Sequence, residues 1–171
     1  MERNKVIFLD RDGTINIDYG YVYQKEKLEF IDGAIEGLKN LSTAGYKLII
    51  ITNQSGIGRC FFTEEDYVEF NNYFLGQLKL FGIEIEKVYY CPHTDSDNCE
   101  CRKPKLKLFY DAIEEFNVDL SNSYAIGDKE RDLAICSETS IKGILIGNKS
   151  DKYLNFSNLL DAANYITKES D

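Results

Sequence analysis

The chain has 171 residues, a formal net charge of −9 and 43% hydrophobic residues. That length supports one domain with a buried core, expected over residues 1–171, and the acidic balance argues against a nucleic-acid partner, because such partners meet basic faces. No apolar stretch is long enough to span a bilayer, and Met1–Lys5 runs straight into the first apolar run with no room for a signal peptide, so the expectation is a cytoplasmic monomer with reduced cysteines and no membrane contact.

Val6–Leu9 is a run of four apolar residues, two of them β-branched, and predicts a fully buried strand. Asp10-Arg11-Asp12-Gly13-Thr14 ends it. In extended chain, residues two apart point the same way, so Asp10 and Asp12 can address one point. Two close carboxylates repel, and a hard cation such as Mg2+ relieves that repulsion. An isolated Asp-x-Asp would read as an acidic turn; this one follows an apolar run in the first strand. A calcium loop of the EF-hand type does not fit, since its glycine belongs at loop position six and its loop follows a helix.

Ile15 to Ile31 has no clear period and predicts a loop or small flap. Asp32 is the expected cap of a helix from about Gly33 to Ala44, with Gly45 as its stop. Tyr46–Ile51 predicts a second strand, with Thr52-Asn53-Gln54-Ser55-Gly56 as its polar exit. Thr63 should cap a long helix reaching Phe81, whose stripe of Tyr67, Phe70, Phe74, Leu78 and Phe81 has core spacing. Glu86–Tyr90 predicts a third strand, Cys91 to Pro104 a loop, and Lys105–Phe116 a helix with Leu108, Ala112, Ile113 and Phe116 inward. Tyr124–Ile126 predicts a fourth strand ended by Gly127-Asp128. A short helix from about Lys129, a strand over 143–146 and a helix capped by Ser157 and running through Ile166 complete the chain.

This alternation implies an α/β fold with a Rossmann-like parallel sheet and helices on both faces. Ligands of such sheets sit beyond the C-terminal strand ends. Asp10, Thr52 and Asp128 all fall there, so three remote segments should meet in one crevice. Asp128 adds a third carboxylate to the pair, an oxygen-rich set that suits Mg2+. The Thr52 hydroxyl and the amides after it can donate to a phosphate. A phosphate substrate would be repelled by the net charge unless cations gather locally. Arg102, Lys103, Lys105 and Lys107 form one such group, and Lys129 and Arg131 another; ordinary solvated lysines are the alternative. Gly56-Ile57-Gly58 carries little, because the lysine of a Walker loop and the dinucleotide fingerprint are both missing.

Cys91-Pro92-His93 and Cys99-Glu100-Cys101 each present two ligands on one side of extended chain, and together they could close a tetrahedral Zn2+ site. A closed set of four is structural. A disulfide or unligated residues are the competing readings. Cys60 and Cys136 lack partners of this kind and read as ordinary small residues.

Asp10-Arg11-Asp12-Gly13-Thr14, Thr52-Asn53, Lys103 and Gly127-Asp128 stand in an order that resembles the haloacid dehalogenase superfamily of phosphatases, over about residues 6–146. The resemblance implies that Asp10 is the nucleophile, forming an aspartyl-phosphate. It implies that Asp12 is the general acid and base, and that Thr52 and Lys103 stabilise the phosphoryl group. Mg2+ would be held by Asp10, the main-chain carbonyl of Asp12, and Asp128. It also implies an open site with a small flap, since neither connection is long enough for a large cap domain.

Adding the Cys/His loop, which leads directly into Arg102-Lys103-Pro104, the chain is similar to the subgroup of D-glycero-D-manno-heptose 1,7-bisphosphate phosphatases and related histidinol-phosphate phosphatases. The implied substrate is a small phosphorylated sugar, heptose 1,7-bisphosphate first and histidinol phosphate as the alternative. Asp18, Tyr19, Gly20, Tyr21, Asn53, Gln54, Ser55, Arg102 and Lys129 are the implied substrate contacts. Three departures bear on that choice. The Cys/His loop is short, the Pro-Gly usual after Lys103-Pro104 is missing, and Cys60 replaces a glycine usual after Arg59. A non-catalytic, zinc-stabilised interaction module is the reading from another class. A phosphotransferase or polynucleotide 3′-phosphatase shares the fold, and the acidic charge disfavours the latter.

Overall fold

The structure is a computed structural model that describes residues 2–169. Met1, Ser170 and Asp171, which the expected domain includes, lie outside them. Six parallel strands form one sheet in the order β3-β2-β1-β4-β5-β6: β1 (Val6–Leu9), β2 (Lys47–Asn53), β3 (Lys87–Cys91), β4 (Tyr124–Gly127), β5 (Lys142–Ile146) and β6 (Leu154–Phe156). The helices are α1 (Ala34–Thr43), α2 (Glu64–Leu80), α3 (Lys107–Glu115) and α4 (Leu159–Glu169).

Alternation along β1 divides the core. Ile7 and Leu9 face a cluster with Leu38 and Leu41 of α1, Phe70 and Phe74 of α2, and Ala162 and Ile166 of α4. Val6 and Phe8 face the other cluster, with Phe109 and Ala112 of α3 and with Leu133 and Ile135. The sheet is therefore covered on both faces, as expected. Among the described residues no helix is long and apolar enough to cross a membrane.

Several expectations are corrected. Asp32 does not cap α1; Gly33 takes the N-cap position in left-handed backbone, at φ +84°. Asn158, not Ser157, caps α4, its Oδ1 accepting from the amide of Asp161 at 2.9 Å. β2 extends two residues further than expected, through Asn53. Phe81 falls outside the buried stripe of α2 and is 44% exposed, because the helix ends at Leu80. In α3, Leu108, Phe109 and Ala112 are the buried residues, while Ile113 and Phe116 pack only partly. β6 had no sequence counterpart. The stretch over 15–31 is a flap pinned at its base, where Ile17 donates to the Glu29 carbonyl at 2.8 Å and Ile31 to the Ile15 carbonyl at 3.0 Å. It also holds a short 3₁₀ turn at Lys25–Lys27.

The strand order reverses at β1, which pairs with β2 on one side and β4 on the other. A crevice opens at such a switch point, beyond the C-terminal strand ends. Asp10 leaves β1 there, its amide donating to the Ile126 carbonyl of β4 at 3.1 Å.

Thr63 caps α2 as expected: its Oγ1 accepts from the Asp66 amide at 3.0 Å and Asp66 Oδ2 accepts from the Thr63 amide at 2.9 Å. Thr63 is exposed, so Thr63→Ala removes the cap without opening a cavity. The expected loss is about 1 kcal/mol, read as a lower denaturant midpoint at unchanged slope. An unchanged midpoint would show that the box contributes nothing.

Candidate active site

A cavity of about 300 Å³ lies at the switch point. Its walls bring together most of the residues singled out in the sequence: Asp10, Asp12 and Asp128; Thr52 to Ser55; Asp18, Gly20 and Tyr21; and Arg102, Lys103 and Lys129. Tyr19 is the exception. Its hydroxyl donates to Glu29 on the exposed side of the flap, and it forms no part of the wall. Lys105 and Lys107 also turn away, towards Glu100 and Asp111.

At the floor, the Lys103 ammonium is buried. It lies 3.0 Å from Asp10 Oδ1, 2.7 Å from Asp132 Oδ1 and 2.5 Å from the Ile51 carbonyl. Asn53 fixes the lysine from behind: its Oδ1 accepts from the Lys103 amide at 3.0 Å and its Nδ2 donates to the Lys103 carbonyl at 3.1 Å. The Asn53 amide is thus engaged with main chain, not left to meet a ligand.

Ligand oxygens of Asp10, Asp128 and Asp132 lie within 4.8 Å of one another. Three carboxylates thus gather beside one ammonium, which pairs with Asp10 and Asp132. Burial raises the Asp10 pKa well above the carboxylate range; Asp132, Asp128 and Asp12 add to the rise, and Lys103 opposes it. Burial and then Asp132 raise Asp128 too. Burial works against the charge on Lys103, yet Asp10 and Asp132 hold it above the usual lysine value. The surplus of negative charge is what a divalent cation would cancel. Asp128 Oδ1 is buried without a partner, a further sign that the donor set fits a cation. The turn after β1 leaves room for this carboxylate only because residue 13 is glycine. A Cβ on Gly13, at φ +86°, would come within 2.4 Å of Asp128 Oδ2.

The carboxylate of Asp12 is not in this cluster. It accepts from Arg11 Nε at 2.9 Å, Arg11 Nη2 at 3.1 Å and Asn16 Nδ2 at 2.9 Å. The Thr52 hydroxyl accepts from Gln54 Nε2 at 3.0 Å and donates only over a long 3.5 Å to the Asn53 carbonyl. The Gln54 amide donates to the Cys91 carbonyl at 2.7 Å and is not open to a phosphate.

Sequence reasoning missed Asp132 as a site residue, along with Arg59 and the cavity role of Arg131. Asp132 stands four residues after Asp128, a spacing that shares one side of a helical turn, and that was the available signal. Arg59, Lys129 and Arg131 line the cavity and make no ion pair among the described residues. Arg102 donates to Asp95 Oδ1 at 2.6 Å.

The Cys/His prongs meet behind this wall. Cys91 Sγ lies 3.4 Å from His93 Nδ1, 3.7 Å from Cys99 Sγ and 3.1 Å from Cys101 Sγ; His93 Nδ1 lies 3.2 Å from Cys101 Sγ. All three cysteines are free thiols. Bonds of about 2.0–2.3 Å to a tetrahedral zinc imply ligand separations of about 3.3–3.8 Å; the 3.4 and 3.7 Å separations fall inside that range and the 3.1 and 3.2 Å ones just below it, and the sulfur and nitrogen donors are of the kind that metal takes. Backbone amides of Arg102 and Cys101 bring the Cys99 thiol down to about 7 against the effect of burial, while burial pushes Cys91 up. Cys60 sits at φ +62°, which explains why glycine suits that position better.

The profile of the family described as polynucleotide kinase 3 phosphatase matches residues 5–156. A Helicobacter pylori protein named D-glycero-beta-D-manno-heptose-1,7-bisphosphate 7-phosphatase is 45% identical over 147 residues, 85% of each chain. A Campylobacter jejuni protein, named as the corresponding alpha-heptose 7-phosphatase, is 39% identical over 173 residues, 99% of each chain. Among solved structures, the D,D-heptose 1,7-bisphosphate phosphatase of B. bronchiseptica, complexed with magnesium and phosphate, superposes with a TM-score of 0.88 at 25% identity, covering 96% of this chain and 99% of that one.

The carboxylate cluster predicts a pH-dependent metal effect. A carboxyl whose folded pKa lies above its unfolded value favours the fold at low pH, and that contribution is lost as pH rises through the folded value. Asp10 and Asp128 shift in this direction. Added Mg2+ should therefore raise Tm more at pH 8, where repulsion is unrelieved, than at pH 5, where protons compete with the cation. Calorimetry at both pH values checks this; an equal rise at both would contradict the cluster's role.

Proposed function

The chain belongs to the haloacid dehalogenase superfamily, in the group of heptose 1,7-bisphosphate phosphatases, and from that membership we propose that it removes the 7-phosphate of D-glycero-D-manno-heptose 1,7-bisphosphate. The observation that carries the reading is the division of one cavity. Asp10 and Lys103 occupy its floor, while Arg59, Lys129 and Arg131 stand on its walls without ion pairs among the described residues. One phosphate can meet the nucleophile while a second meets the unpaired cations. The net charge of −9 and the small volume of the cavity fit a sugar phosphate rather than a polynucleotide.

In this reading Asp10 attacks phosphorus in line and the bond to the sugar oxygen breaks. Asp12 gives its proton to that departing oxygen. Water then attacks the aspartyl-phosphate and gives a proton to Asp12, which frees Asp10 and inorganic phosphate. Thr52 donates to a nonbridging oxygen, and the Lys103 charge neutralises the phosphoryl group from the floor. Asp10, Asp128 and the main-chain carbonyl of Asp12, with Asp132 beside them, would hold a divalent cation, which would supply the counter-charge that lets a carboxylate approach a phosphate. Asp18, Gly20, Tyr21 and Ser55 contact the sugar, and Arg102 and Lys129 the distal phosphate. Cys91, His93, Cys99 and Cys101 would hold a structural zinc, which would brace the loop that delivers Arg102 and Lys103.

A panel of both heptose 1,7-bisphosphate anomers and histidinol phosphate tests the substrate. With Mg2+ present, kcat/KM should be highest for a heptose bisphosphate, and the product should keep its anomeric phosphate. Asp10→Asn should fold and lose turnover by on the order of 10³-fold or more. A preference for histidinol phosphate would overturn the substrate, and an active Asp10→Asn the mechanism.

Cys99→Ser should bring bound zinc below one per chain and lower Tm by about 5 °C or more. Metal analysis showing the same zinc content in the variant would remove the zinc site.

A further inference from the structure

Arg11 is the largest side chain with no solvent exposure among the described residues. Burying a guanidinium is unfavourable unless its donors are satisfied and its charge is paired. Here the proposed proton-transfer residue supplies the charge partner and two of the hydrogen bonds, while Nη1 is buried with no partner among the described residues. Nε donates to Asp12 Oδ1 at 2.9 Å and Nη2 to Asp12 Oδ2 at 3.1 Å, a two-point fork. Nη2 also donates to the Val22 carbonyl of the flap at 2.8 Å, and the guanidinium lies 4.8 Å from the centre of the Phe70 ring. Arg11 does not line the cavity, whereas Asp12 does.

The fork leaves the two Asp12 oxygens unequal. Oδ1 takes Arg11 Nε and, at 2.9 Å, Asn16 Nδ2. Oδ2 takes Arg11 Nη2 and only a long 3.4 Å contact from Gln54 Nε2, an amide that also donates to the Thr52 hydroxyl. Oδ2 is therefore the oxygen with spare lone-pair capacity, on the side where the phosphate contacts lie.

We propose that Arg11 is a positioning residue for proton transfer: its buried fork fixes the Asp12 carboxyl so that Oδ2 meets the departing sugar oxygen and then the attacking water. The same guanidinium ties the flap, through Val22, to the proton donor, so flap and donor keep one register. The proposal rests on the reading of Asp12 as general acid and base.

Leaving-group dependence tests it. A sugar alkoxide needs a proton to depart, whereas p-nitrophenolate does not, and kcat/KM covers only the steps through departure of the alcohol. Arg11→Met should lower kcat/KM for the heptose bisphosphate on the order of 10²-fold and for p-nitrophenyl phosphate by less than about threefold. With p-nitrophenyl phosphate its kcat should fall, with a burst of one p-nitrophenolate per enzyme, because the second step still needs an oriented base. Arg11→Lys, which keeps a charge but not the fork, should show the same pattern more weakly, and it carries the test if Arg11→Met does not fold. Equal losses on both substrates, or none on either, would overturn the proposal and leave Arg11 a support of the fold. Asp12→Asn separates the two levels. If it shows the leaving-group dependence and the Arg11 variants do not, only the proposal fails; if it lacks the dependence, the acid–base reading fails and takes the proposal with it.

Discussion

One buried ammonium organises this molecule. Lys103 stands between Asp10 and Asp132, out of reach of solvent, where neither a lone lysine nor a lone pair of carboxylates would be tolerated. Each charge makes the others admissible. Remove the lysine, and adjacent carboxylates at the ends of β1 and β4 would repel each other in a low-dielectric floor. The sheet order makes the meeting possible, because β1 and β4 are hydrogen-bonded neighbours although more than a hundred residues separate them in sequence.

The lysine is placed by main chain rather than by its own flexible stem. Asn53, at the end of β2, grips both the amide and the carbonyl of residue 103. The following loop is fastened to the Cys/His segment at two points, Gln54 to the Cys91 carbonyl at 2.7 Å and Gly58 to the Pro92 carbonyl at 2.9 Å. A Cβ on Gly58 would come within 2.7 Å of that second carbonyl, so the approach is close. The sulfur cluster and the phosphate-facing wall therefore form one mechanical unit. This gives the cluster a bearing on the chemistry although its own ligands never face the cavity floor.

What could be read in the sequence was what depends on local pattern. The apolar run of β1, the cap at Thr63 and the paired Cys/His prongs carry their meaning in a few adjacent residues. The carboxylates at 10 and 128 were legible because strand ends in parallel sheets converge by rule. Features set by tertiary context were not legible. β6 is three residues long, none of them buried, and has no alternation to detect. Phe109 breaks the expected face of α3, yet its ring packs edge-on against Phe8, 5.5 Å between centres, a contact that only the sheet makes available. Asp132 is an aspartate inside a 3₁₀ segment, ordinary in sequence and buried only because Lys103 arrives from elsewhere. Tyr19 shows the converse: a sequence neighbourhood can be right while one member of it faces outward.

The position of β4 also has a bearing on how the chain is made. During synthesis β1, β2 and β3 are complete before β4 has been translated, and β4 pairs with the open side of β1 rather than adding at the far edge. Until then a nascent chain presents one unpaired edge of a wholly apolar strand, the kind of surface that chaperones cover and that aggregates when left bare. The same delay means that no nascent chain ending before β4 can hold both halves of the carboxylate cluster.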